Sequence, residues 1–87
     1  MEISIIHASM TKDDESGYVG SIQFEVKGHK APYELTLQSK RGRDWGSSLS
    51  FLRESGLDEE IDAVDVYLDE DDDAFYRLVQ AAKDTLE

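Results

Sequence analysis

The chain has 87 residues, no cysteine and a formal net charge of −11, with 20 acidic side chains against 9 Lys and Arg. Without cysteine it has no disulfide framework, thiolate nucleophile or thiolate metal ligand, and a reducing cytoplasm is the expected location. A negative charge of this size repels phosphates and anionic membrane surfaces, so we expect neither direct nucleic-acid binding nor membrane binding. The N-terminal apolar run stops at Ile6, so neither a signal peptide nor a membrane span is expected.

Three segments in the first half have the residue pattern of β-strands. Residues 2–9 are rich in β-branched residues, and residues 10–17 are polar and predict a loop. Residues 18–26 and 33–38 alternate apolar and polar side chains, which is typical of half-buried strands. The side chains expected to face the core are Ile22, Phe24, Val26, Tyr33, Leu35 and Leu37. We therefore predict an antiparallel meander of three strands.

The second half predicts a short helix, a strand and a longer helix. The short helix is expected within residues 47–56, with a serine cap at its start and Gly56 at its end. Residues 59–69 would suit either a helix or a strand, and their alternation favours a strand. Its core-facing residues would be Val64, Val66 and Leu68. Residues 72–87 carry apolar side chains at helical spacing and predict an amphipathic helix.

The predicted fold is α+β, a small two-layer sandwich of order β-β-β-α-β-α. The antiparallel meander and the fourth strand would form the sheet, and the two helices would pack on one of its faces. Because the chain is short and has no linker or repeat, residues 1–87 are expected to form a single domain. We expect a monomer or a weak dimer.

The negative charge is confined to one third of the chain. Residues 1–53 contain seven acidic and seven basic side chains, which cancel. Residues 54–87 contain thirteen acidic side chains against Arg77 and Lys83, which accounts for the whole net charge of −11. Two interpretations stay open: the acids form a generic solubilising face, or they form a surface that meets a basic partner.

Five consecutive acids at residues 69–73 precede the apolar stripe of the last helix. Aspartates in this place are favoured at a helix start, so one of the aspartates at 71–73 is predicted to be the N-cap. A calcium loop starting at Asp69 would have Ala74 where the turn needs Gly and Gln80 where a bidentate Glu is needed. A dedicated calcium site is therefore not expected.

No other motif indicates catalysis or a cofactor. The two histidines, His7 and His29, are not placed by their spacing as an acid–base pair, and no nucleophile motif, metal-ligand cluster or phosphate-binding loop is found. We expect no enzyme activity, no catalytic residue, no metal and no cofactor. The one basic segment, residues 40–43, precedes the only tryptophan, and Arg43 with Trp45 is a candidate interface anchor.

The leading hypothesis is a non-enzymatic protein-binding module whose acidic C-terminal third, residues 54–87, docks on a basic protein surface. In size and charge the chain is similar to small acidic α+β proteins that imitate nucleic acid and inhibit nucleases, although no residue motif carries this similarity. The alternative is a small structural or regulatory subunit that binds through an apolar groove or sheet edge, with the acids only solubilising. The predicted partner-binding residues are Asp58, Glu59, Asp62, Asp65, Asp69, Glu70, Arg43 and Trp45.

Overall fold

The structure, a computed structural model, describes residues 1–86 and is an antiparallel sheet followed by two helices. The elements are β1 (Ile3–Asp13), β2 (Gly17–Val26), β3 (Tyr33–Ser39), β4 (Gly46–Phe51), α1 (Asp58–Glu70) and α2 (Asp72–Lys83). The strands lie in the sheet in the order β1-β2-β3-β4, and each is antiparallel to its neighbours. The predicted α+β class is confirmed, and so are the three-stranded meander and the last helix. That helix ends at Lys83, and Glu87 of its predicted range lies outside the described residues.

Two elements are predicted wrongly. The segment predicted to be a short helix contains the strand β4, and the segment predicted to be the fourth strand lies in the helix α1. Residues 46–51 pair with β3, and Leu49 and Phe51 pack against the core while Ser48 and Ser50, which alternate with them, are exposed. The Phe51 ring stacks on that of Tyr33 at 5.8 Å between centroids. Pairing covers the edge of β3, which would otherwise be open. The serines also have little preference for a helix. Gly56 therefore caps no helix and lies before α1.

Helix α1 replaces the predicted fourth strand. Val64 and Leu68 are buried and Ile61 is half-buried against the core, which is the spacing of one helix face. Val66, predicted to face the core, is 53% exposed. The alternation that favours a strand covers only three apolar positions, and the helical stripe buries the larger apolar surface.

Strand β1 is longer than predicted and runs to Asp13, so the expected loop shrinks to a tight turn. Met10, within the predicted loop, is buried. Gly17 begins the next strand with φ +76°, and a Cβ there would lie 2.5 Å from the Ser39 carbonyl oxygen. Only glycine fits this left-handed position and the close approach of β3.

Both helices pack on one face of the sheet, as predicted. Helix α2 contacts β1 and β2, and α1 contacts β4. At its start α1 is tied to the β2–β3 loop, because the Glu60 carboxylate accepts a hydrogen bond of 2.9 Å from the Lys30 backbone N–H. The side chains that form the core are Met10, Ile22, Phe24, Val26, Tyr33, Leu35, Leu37, Val64, Leu68, Leu78, Val79 and Ala82. This arrangement places the acidic segment on the helical face of the molecule.

The N-cap predicted among the aspartates at 71–73 is Asp71, whose Oδ1 accepts a hydrogen bond of 3.1 Å from the Ala74 N–H. We expect Asp71→Ala to lower the free energy of unfolding by about 1 kcal/mol, because a first-turn amide of α2 loses its partner. Urea denaturation measures this loss. The exposed Asp73, which makes no cap hydrogen bond, supplies the control. Equal losses in Asp71→Ala and Asp73→Ala would show that bulk charge at the helix start matters and the cap does not.

Candidate functional site

All six predicted partner-binding acids lie on α1, and all six are exposed: Asp58, Glu59, Asp62, Asp65, Asp69 and Glu70. Four of them are spaced by four, three and four residues, which places them on one side of a helix. We call these four, Asp58, Asp62, Asp65 and Asp69, the acidic stripe. A strand would have held Asp65 and Asp69 about 13 Å apart. In α1 they are one turn apart, with a rise of about 6 Å, so their charges reinforce each other.

Among residues 1–86, the acidic stripe forms no ion pair with a basic side chain. Within residues 1–86 the only ion pair joins Lys27 Nζ to Glu2 Oε2 at 3.6 Å, and both of these side chains are exposed. In that part of the chain, no basic side chain lies close enough to the acidic stripe to form an ion pair. The carboxylates therefore repel one another, and their field extends into solvent over about one Debye length, roughly 8 Å at physiological salt.

The two ends of α1 differ in what their acids do for stability. Asp58, Glu59 and Glu60 lie in the first turn, where the macrodipole favours negative charge. The last turn has no basic residue and instead carries Asp69 and Glu70, beside the negative end of the dipole. Charges of this sign at a helix C-terminus cost about 0.3–1 kcal/mol each. The same two acids directly precede the N-terminus of α2, where negative charge is favourable, so the two helix ends act on them in opposite directions.

A groove lies where α1 ends and α2 begins, over the β4 side of the sheet. It has a volume of about 260 Å³. Three aromatic rings and three carboxylates line it: Trp45, Phe75, Tyr76, Asp65, Asp69 and Asp72. We call it the Trp45 groove. Asp65 and Asp69, the C-terminal half of the acidic stripe, therefore lie beside an aromatic surface.

Trp45 is held in place by the fold. Its ring is half-buried against the core and lies 5.8 Å from the Tyr18 ring, tilted by 58°. Arg43, predicted to act beside it, is not in the lining of the Trp45 groove; it borders a separate cavity of about 470 Å³ with Lys40 and Arg41. The structure thus brings Trp45 together with Asp65 and Asp69, and it leaves Arg43 with the basic loop.

Three residues that line the Trp45 groove are not among the predicted partner-binding residues: Asp72, Phe75 and Tyr76. Phe75 belongs to the predicted core stripe of α2, and it is half-buried. Tyr76 is 52% exposed, and it lies off the apolar stripe of α2. An exposed aromatic side chain directly after a run of acids is the signal available, because an aromatic ring on the polar side of a helix adds little to the core.

At the opposite end of the sheet, His29 and Tyr33 form a structural contact. The Tyr33 hydroxyl is 2.8 Å from His29 Nδ1. Burial, and then the nearby Glu60 carboxylate, raise the pKa of Tyr33 above its ordinary value, so its phenol stays neutral. This pair completes the hydrogen bonding of a fully buried side chain.

Residues 1–86 contain neither a membrane-spanning helix nor a cluster of metal ligands. No helix there is both long enough and apolar enough to cross a membrane. No group of three or more His, Cys, Asp or Glu side chains in these residues is arranged to hold a metal ion. No protein-family model, no curated protein and no solved structure matches this chain, and its function is inferred from the chemistry of its own residues.

Proposed function

We propose that this chain is a non-enzymatic protein-binding module that docks the acidic stripe of α1 on a basic protein surface. The observation that carries this proposal is the set of six exposed acids on one helix, none of which forms an ion pair with a basic side chain of residues 1–86. Complementary charge speeds encounter and selects partners, and a basic surface would relieve the repulsion that the fold leaves in place.

The spacing of the acids favours a partner that normally receives nucleic acid. Six exposed carboxylates over the about 18 Å length of α1 give one charge per about 3 Å of axis. One strand of a nucleic-acid duplex carries one phosphate per about 3.4 Å. A surface arranged for a phosphate backbone would therefore meet a similar linear charge density on α1. In this form the protein acts as a nucleic-acid mimic or inhibitor.

The alternative is binding through the edge of the sheet, and strand β1 favours it. β1 is an edge strand of 11 residues, and its segment 4–11 contains no Asp, Glu, Lys or Arg. Ile5 and Ile6 are exposed on it. An uncharged edge can accept a strand from a partner, although the bulge between Ile5 and His7 interrupts its regular pairing. In this form the acids would only solubilise the protein.

The dependence of binding on salt concentration, and competition by DNA, distinguish docking through the acidic stripe from binding through the β1 edge. We expect proteins captured from the native cell extract to be basic, and their affinity to fall about tenfold or more between about 0.05 M and 0.3 M salt, because screening weakens an exposed charge interface. Duplex DNA added to the bound complex should release the partner. Retention that neither salt nor DNA changes would contradict docking through the acidic stripe and would favour the β1 edge.

A further inference from the structure

We infer that the Trp45 groove receives the guanidinium group of an arginine side chain from the basic partner. This inference rests on the proposed function and names the group that anchors the partner. It is carried by the aromatic walls of the groove as much as by its carboxylates. Acids alone would attract any cation, whereas aromatic faces beside acids favour a flat, weakly hydrated one.

The size of the groove fits one side chain. Its volume of about 260 Å³ lies below the roughly 300–1,000 Å³ of pockets that hold drug-sized molecules. The groove is also open to an approaching protein, because Tyr76 on its wall is 52% exposed. A long side chain projecting from a partner surface is therefore a better match than a free metabolite.

The chemistry of the lining distinguishes arginine from lysine. A guanidinium group stacks on Trp and Tyr faces and pairs with carboxylates through two parallel N–H donors, while an ammonium group acts as a compact point charge. Asp65 and Asp69 from α1 and Asp72 from α2 supply acceptors from two directions. Trp45 and Tyr76 supply the rings.

The fold prepares the groove, and within residues 1–86 its lining contains no Lys or Arg. Packing against Tyr18 fixes Trp45, and the Phe75 ring lies 5.6 Å from that of Tyr76 at an interplanar angle of 77°. The nearby arginines are directed elsewhere: Arg43 borders the basic-loop cavity and Arg77 borders a cavity beside β1. Walls that are already ordered lose little entropy on binding, so an incoming arginine gains most of the interaction energy.

Trp45 is the only tryptophan, so its fluorescence reports binding in the full chain. We would titrate the protein with hexaarginine and with hexalysine at one low ionic strength. The arginine peptide should bind at least about threefold more tightly, because guanidinium adds stacking and bidentate pairing to the charge attraction that both peptides share. Tyr76→Leu should reduce this preference, whereas Tyr76→Phe, which keeps the ring, should retain it. Both variants should fold, because Tyr76 is largely exposed.

The outcomes separate this inference from the proposed function. If the two peptides bind equally and Tyr76→Leu changes neither affinity, the groove does not recognise guanidinium, although a salt-sensitive affinity for both would still support docking through the acidic stripe. If neither peptide binds at low salt, the acidic stripe does not attract basic partners, and both proposals fail. If Mg²⁺ at low concentration displaces hexaarginine, the groove is a cation site and the arginine inference is overturned.

Discussion

Val64→Lys should unfold the protein, whereas Val66→Lys, two residues along the same helix, should leave it folded. Val64 is 0% exposed and belongs to the core, while Val66 is 53% exposed. Burying an ammonium group without a partner costs several kcal/mol. A chain of 87 residues is expected to have a total stability of about 4–13 kcal/mol. Val64→Lys should therefore lower the free energy of unfolding by a large fraction of its total, whereas Val66→Lys should lower it hardly at all.

Circular dichroism and urea denaturation test this contrast. Val66→Lys should change the free energy of unfolding by no more than about 0.5 kcal/mol, as surface substitutions usually do. It also brings one positive charge into an acidic helix, which relieves repulsion. Similar losses in both variants would mean that both side chains face the core, as a strand would place them, and the assignment of α1 as a helix would be wrong.

This pair of valines shows where sequence reasoning reaches its limit in this fold. In β2 and β3 the alternation extends over many positions and one face is buried, so the sequence predicts these strands correctly. The stripe of α2 is equally clear because its apolar residues repeat over three turns. In residues 59–69 three apolar side chains at strand spacing compete with four at helical spacing, Ile61, Val64, Tyr67 and Leu68. Packing against the sheet decides between them, and local sequence does not contain that information.

Sequence reasoning misses strand β4 for a related reason. Its sequence has only two apolar side chains that contact the core, Leu49 and Phe51, and three serines. What makes it a strand is the ladder with β3, in which Leu35 lies opposite Leu49 and Tyr33 opposite Phe51. This ladder joins residues that are distant in sequence, so the decisive interaction is between strands.

The charge of the candidate site can be read from composition, but its shape cannot. The acids at residues 58–70 are identifiable because they carry much of the net charge, and all six predicted positions are exposed. The Trp45 groove forms only when the end of the β3–β4 loop meets the junction of α1 and α2, more than twenty residues later in the chain. A contact over that separation depends on the strand order and on which face the helices cover.

Reversing the charge at Asp65 and Asp69 should abolish docking while leaving the protein at least as stable as before. Both side chains are exposed, and both line the Trp45 groove. A lysine at position 69 would be favoured by the macrodipole of α1 and opposed by that of α2, but it would relieve the repulsion between neighbouring carboxylates. A lysine introduced at position 65 would lie three residues from Asp62, at the spacing of a favourable pair. We expect Asp65→Lys with Asp69→Lys to raise the free energy of unfolding by up to about 1 kcal/mol.

Binding should change in the opposite direction. A basic partner would now face like charges, and we expect its affinity, or that of hexaarginine, to fall about thirtyfold or more, since lost or reversed charge contacts cost about 2 kcal/mol and upward. The matched control is Asp14→Lys with Glu15→Lys, which makes the same charge change at two exposed positions in the β1–β2 turn. If the control weakens binding as much, only net charge matters; if the Asp65 and Asp69 variant binds normally but melts early, these acids are structural. A variant that is more stable and yet does not bind would mean that the fold carries these carboxylates for a partner, because their presence then opposes folding.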